Sequence, residues 1–422
     1  MRILSVGNVY STQKKIEQAA NLVSFEIIKE LANSSEVGFL KINSSTKDEL
    51  DSILIEEYKL NNIELLDPVR LGSIAKSKYT FRNILTLSIF KKSFFYPLLK
   101  YQKEIELRIK EWSPDAIIVI WDEMITPVIA NIENIPIKYI YYGNLDYKVF
   151  NARSHMRLFY ENDFFIKKIF VFLVRYFQSI FLKKYYLGYL SKYNILSNVA
   201  LNDSFAINKY EHINKTKYLP NMWIVPNIKD TKINKKKREL KKNKIIANIG
   251  NVAATANNFG LFILESDYIP LLRKKMNGKN FEIHILGGGE IQAHLKNKLL
   301  SHPEVFIRGF VDEIDKEIQE AKVVLTLNNA SIFKVCHTRY LHVFSLGTIN
   351  VAHIDAKLSM PELEDGFNIL LGKTIEDIVD KTIISLNNIT LREKISDNAF
   401  QTLKIEFDSK KISKKIDSEI NK

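Results

Sequence analysis

Two hydrophobic periods alternate along the chain. "RILSVGN", "EVGFLKI", "IPIKYIYYG" and "NILSNVALNDS" hold short apolar runs that read as strands. "PDAIIVI" (Pro114 to Ile120) is apolar throughout, the mark of a strand buried on both faces of a parallel sheet. "TQKKIEQAANLVSFEIIKELANS" instead sets Ile16, Ala19, Ala20, Val23 and Ile27 on one helical face. The pattern stops at "WIVPNIKDTKINKKKRELKKNK", where a Pro-Asn turn opens into a polar run without apolar period, which reads as a linker. It then resumes, with "KIIANIGN", "FEIHILGGGE", "VFIRGFV", "KVVLTLNN" and "TINVAHI" as strands. "LESDYIPLLRKKMNGK", "IQAHLKNKLLSHP" and "EIDKEIQEA" are the helices between them.

Strand–helix alternation calls for right-handed crossovers and parallel sheets covered on both faces. At 422 residues the chain is too long for one ordinary core. The expectation is an α/β protein of two Rossmann-like, doubly wound domains facing each other across a cleft. Residues 1–226 form the first domain, 227–243 a basic linker and 244–400 the second domain. Residues 401–422 form a helix packing back toward the first.

Charge narrows the partners. A net charge of +13 favours an anionic one: nucleic acid, an acidic membrane or a phosphorylated small molecule. No RNP-type motif accompanies the basic residues, so nucleic acid is not expected. The lone cysteine, Cys336, excludes an internal disulfide and a cysteine-based metal site. The start, "MRILSVGNVYS", reads as strand and turn rather than a secretory signal, which points to the cytoplasm. In "FFIKKIFVFLVRYFQSIFLKKYY" (residues 164–186), Lys167, Lys168, Arg175, Lys183 and Lys184 interrupt the apolar run, so it does not span a membrane. Its alternation of aromatic and basic residues suits a helix lying in the headgroup plane of an anionic membrane, at its inner face. The same residues also suit a pair of core helices with solvated lysines.

Candidate chemistry collects at the carboxyl ends of strands, where glycine turns feed helix starts. Gly7 with Asn8, Gly250 with Asn251, and the run Gly287, Gly288, Gly289 occupy such places. Neither G-x-G-x-x-G nor G-K-[ST] is present. "FKVCHTRYLHVFSLGTINVAH" (Phe333 to His353) reads as a helix carrying Lys334, His337, Arg339 and His342, stopped at Gly347 before a strand. "WDE" places Asp122 and Glu123 just past "PDAIIVI", where a carboxylate accepts a proton from a hydroxyl or, for Asp122, caps the next helix. His155 reads as a surface-loop residue. "PELEDG" (Glu362, Glu364, Asp365) lacks a histidine at ligand spacing, and no metal is expected.

Ordered segments of the second half resemble GT-B glycosyltransferases, in particular the retaining group called glycosyltransferase family 4. "VPNIKD" (Val225 to Asp230) is similar to its P-N-G-[IV]-D turn, and "IIANIGN" stands at its first C-terminal strand. "FEIHILGGGE", "VFIRGFVDEIDKEIQEAKVVL" and "RYLHVFSLGTINVAH" follow in the family's order. The resemblance implies that the second domain binds a nucleotide-diphosphate sugar as co-substrate and the first binds the acceptor. Gly250, Asn251, Gly287, Gly288, Gly289, Lys334, Arg339 and His342 would be donor-side, with Arg339 neutralising diphosphate. Gly7 and Asn8 would be acceptor-side, Asp122 and Glu123 the catalytic candidates, and Glu362 a contact for a sugar hydroxyl. The implied reaction is a retaining, metal-independent sugar transfer to a glycan or lipid-linked acceptor in surface polysaccharide or glycoconjugate biosynthesis. Two departures stand out: the family's glutamate pair falls on Lys334 and His342, and "GNVAATANNFG" lacks the family's basic pair. A non-catalytic homologue acting as partner or scaffold for another transferase is the alternative, and an epimerase of the same fold a further one.

Overall fold

The computed structural model describes residues 1–10, 12, 19–43, 52–71, 83, 86–143, 145–159, 164–210, 213, 215–226, 243–328, 334 and 338–422. Residues 227–242 of the expected linker lie outside these, as do Ile16, Cys336 and His337. The chain forms two units that are not two consecutive stretches. One holds Met1–Asn151, Leu173–Pro220 and Ser409–Lys422; the other holds Ala152–Phe172 and Asn221–Asp408.

In the first unit the strands are β1 (Arg2–Gly7), β2 (Glu36–Asn43), β3 (Ile63–Leu65), β4 (Val69–Arg70), β5 (Ala116–Ile120), β6 (Ile137–Tyr142), β7 (Ile195–Asn198) and β8 (Lys217–Tyr218). They form an eight-stranded sheet in the order β3-β2-β1-β5-β6-β7-β8, with β4 also on β2. Every pairing is parallel. All five residues of β5 are buried, as a central parallel strand requires. Helices α1 (Ala19–Leu31), α2 (Gln102–Trp112) and α3 (Thr126–Ala130) precede α4 (Asp146–Phe159) and α5 (Phe165–Leu190), of which residues 152–159 and 165–172 count with the second unit. Residues 164–186, read as either a helix in the headgroup plane or a pair of core helices, belong to one continuous helix, α5, whose buried residues begin only at Gln178. The C-terminal helix Ser409–Ile420 also belongs here: Ile412, Ile416 and Ile420, four residues apart, are buried. Ser409 Oγ donates to Glu26 Oε2 (2.9 Å), and Ser34 Oγ to Asp417 Oδ1 (2.8 Å).

The second unit holds β9 (Lys244–Asn248), β10 (Glu282–Leu286), β11 (Val305–Gly309), β12 (Val323–Thr326), β13 (Asn350–His353) and β14 (Leu370–Gly372). They form a parallel sheet in the order β11-β10-β9-β12-β13-β14. The helix after β9 starts earlier than Leu264. It begins as α6 (Thr255–Ile263), passes through one π-helical turn (Leu264–Tyr268) and continues as α7 (Ile269–Met276). The Asn and Gly of "TANNFG" are turn-forming residues, but here every residue from Asn257 to Ile263 is buried, and tertiary packing outweighs local preference. Two more helices bear on the site: α8 (Ile314–Glu320) and α9 (Thr338–Ser345).

Each sheet reverses its strand order once, between β1 and β5 in the first and between β9 and β12 in the second. At such a reversal neighbouring crossovers leave for opposite faces, so the carboxyl ends of the two strands open a crevice.

Candidate functional site

In the second unit, two glycine turns meet directly at the carboxyl ends of β9 and β10, beside the reversal. Gly287 has φ +132, and a Cβ built there would lie 1.9 Å from the Gly250 carbonyl oxygen. Gly289 has φ +97, with Asn251 Oδ1 2.4 Å from a Cβ placed on it. Only glycine permits both this conformation and this approach. Hydrogen bonds tie the turns together. Asn248 Nδ2 donates to the carbonyls of Gly250 (2.9 Å) and Leu286 (2.8 Å), and the Val252 amide donates to the Gly288 carbonyl (3.0 Å).

An asparagine ladder leads from these turns to Arg339. Asn257 Nδ2, on the first turn of α6, donates to the Asn251 carbonyl (2.6 Å), and Asn328 Nδ2, past β12, donates to Asn257 Oδ1 (3.1 Å). Arg339, at the start of α9, donates to Asn257 Oδ1 and to Asn328 Oδ1 (3.4 Å). Among the described residues these neutral amides are its hydrogen-bond partners, and no carboxylate pairs with it. Burial pushes the guanidinium down to about 10, so it remains charged at neutral pH. A half-buried cation held by neutral amides retains its capacity to attract an anion. In the same unit, Arg153 Nε donates to Thr255 Oγ1 (2.8 Å), bringing a second guanidinium to the beginning of α6.

Lys334 and His342 are occupied differently. Lys334 forms an ion pair with Asp355 rather than pointing into solvent. His342 Nε2 lies 2.7 Å from Asp315 Oδ1 on α8, and its ring lies 5.1 Å from that of Trp223. The hydrogen bond to His342 holds the Asp315 carboxyl below the usual aspartate range. The His342 ring is thus fixed by an acid supplied from another element. Glu362 offers its carbonyl to Asn368 Nδ2 (2.9 Å), and His155 is edge-on to Phe172 at 5.1 Å between ring centres.

In the first unit, the reversal between β1 and β5 opens a cleft of about 240 Å³, lined by Gly7, Asn8, Phe39, Trp121, Asp122 and Glu123, among others. Asp122 spans it: Oδ2 accepts the Asn8 amide (2.6 Å), and Oδ1 accepts the amides of Met124 (3.2 Å) and Ile125 (3.1 Å). The carboxylate therefore does serve the turn that leads into α3. Burial nevertheless raises it to about 6, against the lowering effect of those three amides. Trp121, just before it, has φ +49, a left-handed conformation that is strained for a large side chain. Its indole Nε1 is buried without an acceptor among the described residues. A strained tryptophan with an orphan donor, beside a carboxyl raised by burial, is the arrangement expected of a ligand cleft.

The sequence indicated the glycine turns, Asp122 and Arg339, but not Asn257, Asn328, Asp315, Trp223 or Arg153. Paired asparagines inside an apolar helix, as in "TANNFG", were the one available signal, because buried amides need partners. Among the described residues, no group of three or more His, Cys, Asp or Glu side chains could hold a metal ion.

No protein-family model matches the chain, and no curated protein matches it. Solved structures do. The sucrose-phosphate synthase of Thermosynechococcus elongatus superposes with a TM-score of 0.68 at 11% identity, covering 100% of this chain and 98% of that one. HepE of Anabaena in complex with UDP-glucose gives 0.62 at 12% identity, covering 100% and 99%. WaaG, a glycosyltransferase involved in lipopolysaccharide biosynthesis, gives 0.59 at 10%, covering 99% of each. With two doubly wound parallel units and glycosyltransferase neighbours matched along the whole of its length, the chain has the GT-B fold.

Proposed function

We propose that the protein transfers a sugar from a nucleotide-diphosphate donor to a glycan or lipid-linked acceptor, in the assembly of a surface polysaccharide or glycoconjugate. The observation that carries this reading is Arg339, a cation tied by asparagines to the glycine turns and paired with no carboxylate among the described residues. A leaving nucleoside diphosphate is the anion such a site suits, since its charge grows as the glycosidic bond breaks. Arg153 stands in for the basic pair missing from "GNVAATANNFG". His342, backed by Asp315, takes the ribose-side position that a glutamate fills in the family. In the first unit, the cleft at Gly7 and Asn8 receives the acceptor, with Asp122 the candidate to accept its proton. The reaction is read as retaining and metal-independent, and its location as cytoplasmic, with residues 164–186 reaching an anionic membrane surface. HepE, crystallised with UDP-glucose, makes UDP the first nucleotide to try.

Titration calorimetry with UDP, GDP, ADP, TDP and CMP tests the donor site. Binding of one diphosphate, weakened by Arg339→Ala, is the expected result. Failure of all five favours the second reading, a scaffold homologue of a transferase, which has its own support: Lys334 and His342, at the family's acidic positions, are both engaged by internal carboxylates.

A further inference from the structure

A surface helix ordinarily turns its apolar stripe inward. Over its first four turns α5 does the opposite. Its buried residues, among them Gln178, Leu182, Tyr186 and Tyr189, share one side. Ile166, Phe170, Leu173, Phe177 and Ile180, at spacings of three and four, form a stripe on the other side and are exposed, Phe170 by 54% and Phe177 by 52%. Phe164 and Phe165 extend it at the amino end, exposed by 73% and 69%. The helix contains no Asp or Glu, and its five cations are Lys167, Lys168, Arg175, Lys183 and Lys184.

A second element joins this face, one that the sequence did not single out. The segment Leu87–Phe95, "LSIFKKSFF", packs beside the carboxyl half of α5. Phe90 and Phe181 lie 5.1 Å apart between ring centres. Gln178 Nε2 donates to the Ile89 carbonyl (2.9 Å) and Tyr185 Oη to the Phe90 carbonyl (2.9 Å). These bonds hold Leu87, 63% exposed and at φ +51, beside the helix, with exposed Lys91 and Lys92 following.

We infer that α5 and the Leu87–Phe95 segment together form a lipid-docking face. The helix lies in the headgroup plane of an anionic bilayer, and the Leu87 turn inserts alongside it. Charge selects this occupant. Lys168, Arg175 and Lys183 turn toward the buried side, Lys183 over the rings of Tyr147 and Tyr210, and the exposed cations of the face are Lys167, Lys184, Lys91 and Lys92. Self-association through the stripe would set these against one another with no acid in the helix between them, whereas acidic headgroups neutralise them while the aromatic rings enter the acyl boundary. No helix among the described residues is long and apolar enough to cross a membrane, so the contact is peripheral. The inference deepens the membrane part of the proposed function and does not depend on the donor site.

The test is flotation of the full chain, without nucleotide, with vesicles of phosphatidylcholine alone or with phosphatidylglycerol, alongside calorimetry with UDP, GDP, ADP, TDP and CMP on the same preparations. Flotation with the anionic vesicles only, decreasing with salt, is expected. The Phe170→Ser/Phe177→Ser/Ile180→Ser variant should partition at least ~tenfold more weakly with its melting temperature retained. Lys91→Glu/Lys92→Glu should weaken partitioning as well. Leu87→Trp should be quenched by brominated lipid, and the absence of quenching would overturn the role of the second element. No flotation of the wild type, or a dimer in solution abolished by the triple serine variant, would overturn the lipid assignment. A protein that floats but binds no nucleotide would defeat the donor reading alone.

Discussion

His342 Nε2 stands 2.7 Å from Asp315 Oδ1, and the two residues come from different helices, α9 and α8. The resemblance to family 4 would set one of that family's two glutamates at His342. His342→Glu would set a carboxylate against Asp315, which is largely exposed on its side chain, so the cost is expected to be about 1 kcal/mol or less. Adding Asp315→Asn should restore the loss. Thermal melts of the single and double variants measure it, and additive losses would mean that the pair is not coupled.

Arg339→Lys should weaken nucleoside diphosphate binding almost as much as Arg339→Ala. An ammonium keeps the charge but cannot reach Asn257, Asn328 and a phosphate with one planar fork. Loss of a charge-assisted hydrogen bond corresponds to about 1.5–3 kcal/mol, roughly tenfold to a hundredfold in affinity by calorimetry. Lysine at full affinity would mean that charge alone is being read.

Asp122 gives a pH signature of defined sign. Its carboxyl is raised from 3.8 to about 6, so the folded protein holds this proton more tightly than the unfolded chain. Its contribution to stability is present at low pH and is lost as pH rises from 3.8 through 6, by on the order of 3 kcal/mol in all. Asp122→Asn should flatten the dependence of melting temperature on pH in that window. If Asp122 accepts the acceptor's proton, turnover rises with pH through about 6. The asparagine variant then loses turnover while its nucleotide affinity stays unchanged.

Gly287→Ala and Gly288→Ala separate a position in contact from one in the open. The first drives a Cβ into the Gly250 carbonyl at φ +132, and a destabilisation on the order of 3 kcal/mol is expected, with nucleotide binding lost. The second meets nothing within 4 Å and should melt like the wild type. Equal melting of both would show that the two turns can separate.

Alternation of strand and helix was enough to predict two parallel sheets and to single out the glycine turns at the ends of their first strands, but the strand order that makes these ends reversal points came only with the fold. The sequence could not show that the Asn8 amide meets Asp122, 114 residues away, since β5 joins β1 only after the crossovers are packed. Arg339 was visible as a charge but its partners were not: Asn257 sits in a stretch whose local preferences point to a turn, and burial alone makes it a helix. The aromatic and basic make-up of α5 was equally plain in the sequence. Which of its sides faces the core depends on the sheet beneath it, and that cannot be read from spacing.

The C-terminal helix has a consequence for the order of events during synthesis. Its Glu419 accepts from Lys217 Nζ (2.6 Å), and Ser34 reaches across to Asp417, so residues separated by about two hundred and four hundred positions close the same unit. While the ribosome is still making residues 221–408, the first sheet stands with one flank of α1 uncovered, and the second unit can complete itself first. A released chain that ends at Asp408 should accordingly show a protease-resistant second unit beside a first unit that is still cut.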